Sequence, residues 1–285
     1  MERMVERAYA KINLTLDVLG LRPDKYHDLK SVMQTVSLCD DVEICIGPGE
    51  PWKLVCDKDG IPCDERNLAW KAAAAYCKAT GWEPKGMEIR ITKRIPSGAG
   101  MGGGSADAAA VLRLLNKLNG CPMSDAALAD LGAAIGSDVP FCVIGGTMMC
   151  EGRGEIMRPV VPMPNCNIVI CKPEFSVSTP VLYRKLDETP VLIRPDNDAM
   201  ENALARGDLH QICASIGNVF EAVVAAEHPE IAHIKEICFK HGAIAAQMTG
   251  SGSVVFAVMP GEESAVDACK ELLQSYAVAA VVQPV

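Results

Sequence analysis

The run Pro96-Ser97-Gly98-Ala99-Gly100-Met101-Gly102-Gly103-Gly104-Ser105-Ala106 carries five glycines between positions 98 and 104. Glycine lets backbone N–H groups turn toward a ligand and lets that ligand come close. Beyond the run, Val111, Leu114, Leu115 and Leu118 recur at i, i+3, i+4 and i+7, so residues 105–118 read as an amphipathic helix. A helix begins with N–H groups that lack intrahelical partners. Glycine loop and helix start together make an anion site, and polyphosphate is its natural occupant. A second glycine turn, Thr249-Gly250-Ser251-Gly252-Ser253, lies between two apolar runs near the other end of the chain. It reads either as a cover for the same phosphates or as a plain β-turn.

Phosphoryl transfer asks for two more groups: a cation near the transferred phosphate and a carboxylate near the accepting hydroxyl. Lys11 is a candidate for the first, in phase with Asn13 on the polar side of an alternating strand; a solvated strand lysine explains it as well. Asp138, in Ser137-Asp138-Val139-Pro140, is a candidate for the second; a helix N-cap is the competing account. Other nucleotide-loop readings fail on context. Gly98, Gly100 and Gly103 satisfy G-x-G-x-x-G, but the Rossmann unit needs a parallel strand after the helix, and Met123–Asp125 instead starts another helix. No Gly-Lys-Ser/Thr follows the glycines, so the loop is not a Walker A motif. A helix, not a strand with Val-Ala-Ile-Lys, comes next, and Asp-Phe-Gly and His-Arg-Asp are absent, which excludes a protein kinase.

Three motifs in order then resemble the GHMP kinase superfamily: Ala10-Lys-Ile-Asn-Leu14, the glycine run at 96–106, and Met248-Thr-Gly-Ser-Gly-Ser253. A narrower resemblance rests on Arg22-Pro-Asp-Lys-Tyr-His27, Gly136-Ser-Asp-Val-Pro-Phe141, and Gly145-Gly-Thr147 with Gly152-Arg-Gly-Glu155. It points to the subgroup that phosphorylates the 2-hydroxyl of a cytidine diphosphate-linked polyol, diphosphocytidyl-methylerythritol. Homoserine or mevalonate kinase activity, or a catalytically silent nucleotide-binding regulator, are the alternatives.

The resemblance implies a two-lobed α+β fold, with an N-terminal lobe like domain 2 of ribosomal protein S5 and a ferredoxin-like C-terminal lobe. It implies ATP, held by residues 96–106, with Mg2+. It places Lys11 beside Asp138 and Asn13 near the hydroxyl. It makes Tyr26 and His27 the cytidine candidates, with Tyr183 for the base's other face, and it lets residues 249–252 close over the phosphates. Lys93 and Asn67 could reach the adenosine, though a charged strand end and a helix cap account for them equally well. There are departures: Lys25 stands where the subgroup has glycine, so the turn would not rest on a residue free to take positive φ. Ala106 replaces a serine, and Val219 an aspartate in Asn218-Val-Phe-Glu221.

These residues need elements to hold them. At 285 residues the chain suits one large domain or two ordinary ones, and 49% hydrophobic with 22% charged residues describes a globular protein. Lobes of 1–155 (ATP-binding) and 156–285 are expected, mixed α+β without a regular β-α-β rhythm. Strands are expected at 12–18, at Val42–Ile46, at 52–56 as the latter's hairpin partner across 47–51, and at 87–91. Further strands are expected at 167–171, 243–248 and 254–259. Helices are expected from Leu68 to about Thr80 between an Asn67 cap and Gly81, from Ser124 to Gly136, and at 198–205, 211–226 and 231–241. The formal net charge of −9 argues against a broad nucleic-acid footprint. Thirteen cysteines without a C-x-x-C pair suit a reducing cytoplasm. No secretory signal and no run near the ~20 apolar residues of a membrane span is visible. Monomer and homodimer remain equally open.

Overall fold

The computed structural model describes residues 2–47 and 51–285. By contacts the chain divides into two compact units interleaved in sequence. One gathers the chain start up to Ala10, Leu38–Ser97 and Gly102–Gly145; the other gathers Lys11–Ser37, Gly98–Met101 and Gly146–Val285.

The first two strands, β1 (Glu2–Leu21) and β2 (His27–Ile46), each run through both units. In the first unit they are joined by β3 (Lys53–Cys56), α1 (Leu68–Thr80), β4 (Met87–Thr92), α2 (Gly103–Leu118), α3 (Asp125–Ala133) and α4 (Val139–Ile144). Asp41–Ile46 of β2 pairs antiparallel with β4, and β3 lies parallel on the far side of β4. The expected hairpin between residues 42–46 and 52–56 is therefore corrected: β4 takes the place between them. Its apolar positions Met87, Ile89 and Ile91 are all buried, which suits a strand with neighbours on both edges. The turn that was to join the hairpin includes residues 48–50, outside the described residues.

Local signals hold where chemistry is local. The Asn67 Oδ1 accepts from the Ala69 N–H and Gly81 ends α1 at φ 68°, so both boundaries fall where expected. The Ser124 Oγ accepts from the Ala127 N–H to open α3, which ends at Ala133, before Gly136. α1 packs on α2, α2 on α4, and α4 on α3. The α2 seam Ala109, Val111, Leu112, Leu114 and Leu115 is buried.

The second unit adds β5 (Thr147–Gly152) and β6 (Ile156–Pro159), with β5 antiparallel to Leu29–Gln34 of β2. Then follow β7 (Asn167–Lys172), α5 (Thr179–Glu188), α6 (Asn197–Arg206), α7 (Leu209–Ser215), β8 (Gly217–Asn218), α8 (Val219–Ala225), α9 (Glu230–Lys240), β9 (Ala245–Met248), β10 (Val255–Met259), α10 (Glu262–Leu272) and β11 (Val278–Val282). The single helix expected over 211–226 is two helices. Gly217 and Asn218 break it because they pair in parallel with Thr15 and Leu16 of β1.

Strands β7, β9, β10 and β11 form an antiparallel sheet in the order β11-β7-β10-β9, with α9 and α10 packed on it. Strand, helix, two strands, helix, strand is the ferredoxin-like arrangement. Its core includes Val169, Ile231, Ile234, Val255, Ala257 and Leu272. Strands and helices are mixed in both units, the α+β class that the motifs imply.

Candidate active site

The glycine run joins β4 to α2. Gly98, Gly100 and Gly102 have φ of 61°, 73° and 70°, in the left-handed region that favours glycine. Gly102 occupies the N-cap position of α2, and no side chain caps the helix there. The first turn, Gly103-Gly104-Ser105, thus carries backbone N–H groups without a competing side-chain acceptor, the arrangement an anion site needs.

Within the second unit, Gly98–Met101 lies against the Thr249–Gly252 turn. A Cβ on Gly100 would fall 2.2 Å from the Thr249 carbonyl oxygen, closer than any real contact. The Val254 N–H donates to the Ala99 carbonyl (3.2 Å) and the Lys11 N–H to the Met101 carbonyl (3.0 Å). Two glycine-rich segments about 150 residues apart in sequence are thus in backbone contact, with β1 bonded alongside.

Lys11 is only 4% exposed and its Nζ donates to the Asn13 Oδ1 at 2.7 Å. Residues 10–18 of β1 are buried on both faces, so the alternation that suggested a wet polar face instead marks a buried polar seam. Along it, the Asn13 Nδ2 donates to the Ser31 Oγ at 2.8 Å, and the Asn13 N–H donates to the Thr249 Oγ1 at 2.9 Å. The Thr15 Oγ1 donates to the Asn197 Oδ1 at 2.6 Å. Buried polar groups are costly unless paired, and these are paired in series. The reading of Lys11 as a solvated surface lysine is excluded.

Asp138 belongs to the first unit, at the N-cap position of α4, but its φ/ψ of −87°/−7° is helical and its side chain makes no capping bond. The capping account of its carboxylate therefore fails. A Cβ on Gly136, two residues earlier, would lie 3.8 Å from the Ser105 Oγ, which places this turn beside the start of α2. At the other end of α4, the Arg113 guanidinium donates to the Cys142 carbonyl at 2.6 Å and to the Val143 carbonyl at 3.2 Å. Glu6 in turn holds Arg113 and Lys117. Arg113 thus satisfies carbonyls that the end of a helix leaves without partners.

The Arg22–Asp28 turn presents Tyr26 at 54% exposure, with the Arg153 guanidinium 4.8 Å from the ring centroid. His27 points elsewhere: its Nε2 is 2.8 Å from the Asp187 Oδ1 and its ring stacks on Tyr183 at 4.6 Å and 20°. The structure brings His27 and Tyr183 together face to face, with no room for a third ring between them; Tyr26 offers its own, separate face. Lys25 adopts φ 68° although it is not glycine, so the turn does use a positive φ, contrary to the expectation for this position. The Arg22 N–H to Tyr26 carbonyl bond (2.7 Å) and the Asp24 Oδ1 accepting from the Tyr26 N–H (3.1 Å) hold it there. Basic side chains near the turn are paired locally, Arg22 with Asp24 and Asp28, and Lys30 with Asp198.

Sequence reasoning assigned no role to several residues that shape the site. The Asn218 Nδ2 donates to the carbonyls of Met248 and Gly250, both at 2.8 Å, and Glu221 accepts from the Met248 N–H while pairing with Lys235. The signal was present as the Asn-x-x-Glu spacing. Between them Val219 is 4% exposed in the core, and Ala106 is 1% exposed, so both departures fall on dry positions where an apolar side chain fits. Asn67 is occupied as a helix cap, its Nδ2 donating to the Pro62 carbonyl. Lys93 is not an exposed strand end: its side chain is 5% exposed and is paired with Asp40 and Asp107. Burial, with the neighbouring Asp40 charge adding to it, pushes the Asp107 carboxyl up to about 7 despite Lys93.

A glycine run that opens a helix, a second glycine turn packed on residues 98–101 of that run, and a buried lysine on the adjoining strand are the three motifs of the sequence in folded form. The family described as GHMP kinases N terminal domain matches residues 67–146, and GHMP kinases C terminal matches residues 200–278. The chain belongs to the GHMP kinases. Among its relatives, the 4-diphosphocytidyl-2-C-methyl-D-erythritol kinase of Geobacillus thermodenitrificans (strain NG80-2) is 48% identical over 90% of this chain and 88% of that protein. The protein of the same name from Caldicellulosiruptor saccharolyticus is 43% identical over 94% and 92%. A crystal structure of 4-(cytidine 5'-diphospho)-2C-methyl-D-erythritol kinase superimposes with a TM-score of 0.81 at 31% identity, covering 99% of both chains. A homoserine kinase from Cytophaga hutchinsonii shares the fold, at TM-score 0.76 and 19% identity over 100% of this chain and 95% of that one.

Proposed function

We propose that this chain is an ATP-dependent small-molecule kinase that phosphorylates the 2-hydroxyl of 4-diphosphocytidyl-2-C-methyl-D-erythritol. The products are the 2-phosphate and ADP, in the non-mevalonate route to isoprenoid precursors. The observation that carries this is the 43–48% identity, over at least 88% of each protein, to relatives bearing that name. Retention of Lys11 and Asp138 argues against a silent regulator.

In this reading the loop at 96–106 and the α2 N-terminus take the β- and γ-phosphates through backbone N–H groups, and residues 249–252 cover them. Asp138 faces the acceptor. A carboxylate is far too weak a base to ionise an alcohol beforehand. It orients the hydroxyl and accepts its proton as the new O–P bond forms and the bond from the γ-phosphorus to the ADP oxygen breaks. Lys11, held in one rotamer by Asn13, supplies positive charge toward the transferring phosphoryl. Asn13 contacts the acceptor. Tyr26 stacks on the cytosine, and His27, oriented by Asp187 and Tyr183, bonds its edge.

Bound with ATP, Mg2+ would supply positive charge against the phosphates; such an ion is usually held by substrate phosphates and water with one or two carboxylates. Among the described residues no group of three or more His, Cys, Asp or Glu converges as a metal site. Among the same residues no helix is long and apolar enough to cross a membrane; we assign the enzyme to the cytoplasm on its cysteine content.

The test is ADP formation with ATP, Mg2+ and four acceptors: diphosphocytidyl-methylerythritol, homoserine, mevalonate and galactose. Turnover with the first alone is expected. Turnover only with another would reject the substrate, and none with any would favour a regulator.

A further inference from the structure

The catalytic reading leaves one buried ionic cluster unused. Lys93, Asp40 and Asp107 have side-chain exposures of 5%, 0% and 5%. Lys93 ends the chain segment that leads out of β4 into the glycine run; Asp107 sits one turn inside α2, where the run ends. The Lys93 Nζ donates to the Asp107 Oδ2 at 2.7 Å and also to the Asp40 Oδ2. The Asp40 Oδ1 accepts from the Arg94 N–H and, at 2.8 Å, from the Ile95 N–H, the residue before Pro96. One ammonium therefore reaches both shores of the loop, and Asp40 on β2 anchors the near shore through two backbone amides.

The cluster also abuts the phosphate cradle itself. A Cβ on Gly103, the first residue of α2, would lie 3.3 Å from the Lys93 Nζ and 3.0 Å from Ile95. A cation at a helix N-terminus opposes the helix dipole. Two carboxylates offset that cost here, and the Asp107 Oδ1 is buried with no hydrogen-bond partner. An arrangement this expensive, with a second carboxylate incompletely satisfied, is poor as mere stabilisation, since buried ion pairs contribute little net stability. What it does provide is a fixed separation between Ile95 and Gly103.

We propose that Lys93 is the positioning residue of the nucleotide loop, tying its entry to the first turn of α2 through Asp40 and Asp107 so that the backbone N–H groups are pre-set for polyphosphate. This rests on the reading of that loop as the ATP site. It touches neither substrate nor reacting atoms.

Lys93→Met alone would strand two buried carboxylates, so the informative variants are Lys93→Met/Asp107→Leu, Asp107→Leu and Asp107→Asn. Each is followed by melting temperature, equilibrium binding of a non-hydrolysable ATP analogue, and separate KM values for ATP and acceptor. The double variant is expected to fold and to bind the analogue at least about tenfold more weakly, the scale on which loose positioning is felt. Its ATP KM should rise in step while the acceptor KM stays within about twofold. Asp107→Asn, which keeps an oxygen for Lys93, should retain affinity that Asp107→Leu loses. Unchanged analogue binding in a folded double variant overturns the proposal, as does an equal rise in both KM values. If the wild type itself binds no ATP, the functional reading fails separately. Amide exchange over residues 102–106 then decides: about tenfold faster exchange in the double variant supports the tie, and equal rates refute it.

Discussion

Residues 98–101 and the Arg22–Asp28 turn both place residues in the left-handed region, yet the first is held by distant segments and the second by its own neighbours. The glycine segment is locked by backbone: Lys11, Val254 and the Thr249 carbonyl contact its main chain, and Gly100 has no space even for a methyl group. The turn is closed by its own local backbone bonds and by side chains, Arg22 pairing with Asp24 and the Asp24 Oδ1 accepting from the Tyr26 N–H, with Lys25 strained at φ 68°. The contrast follows the chemistry asked of each. Under the proposed function phosphates are read by backbone N–H groups, so the segment depends on its shape. Under the same proposal the base is read by side chains, of which the turn offers the exposed Tyr26.

That comparison breaks most visibly at the reaction centre. Asp138→Asn and Lys11→Ala are each expected to lower kcat by at least about 100-fold, the scale of a lost base or charge-stabilising donor, while the ATP analogue still binds. Single-turnover rates beside binding isotherms check this, and a near-wild-type rate in either variant removes that residue from the mechanism.

On the locked side, Gly100→Ala must push a Cβ against the Thr249 carbonyl. It is expected to raise the ATP KM by at least about tenfold and lower the melting temperature, since strain here has nowhere to relax. On the side-chain side, Tyr26→Ala should raise the acceptor KM by about tenfold with kcat and ATP KM nearly unchanged, because a stacked base is worth about 1–3 kcal/mol. If Tyr26→Ala instead moved the ATP KM, the two regions would not divide the substrates as argued.

Two smaller effects sharpen the same contrast. Asp107, raised to about 7 mainly by burial, holds a proton in the folded chain that the unfolded chain, with its usual pKa of 3.8, has released. The folded state therefore binds more protons between pH 3.8 and 7, and stability from this group falls as pH rises through that window and then levels off. Asp107→Asn should lack this fall, so its melting temperature should gain on the wild type from pH 4 to 7 and hold constant above. Smallest of all, Lys25→Gly should stabilise by about 1 kcal/mol, by relieving a left-handed residue on the surface, without changing turnover.

What was legible in the chain was local. Asn67 and Gly81 bound α1 because caps act within one turn, and the glycine run followed by a 3.6-residue period marked a loop that opens a helix. The order of three motifs was enough for the family. What the fold alone decided was non-local. Alternation along β1 shows that Lys11 and Asn13 share a face but not that the face is buried against Ser31 and Thr249. Nothing near Trp52 says that β3 lies beside β4 rather than β2, and nothing within 211–226 says that Asn218 leaves its helix to pair with β1. Lys93 reads as a charged strand end until Asp40 and Asp107, 53 and 14 residues away, close on it. Periodicity and capping report on neighbours within a turn or two of chain, whereas burial and the choice of polar partner depend on which distant segments the packed core brings together.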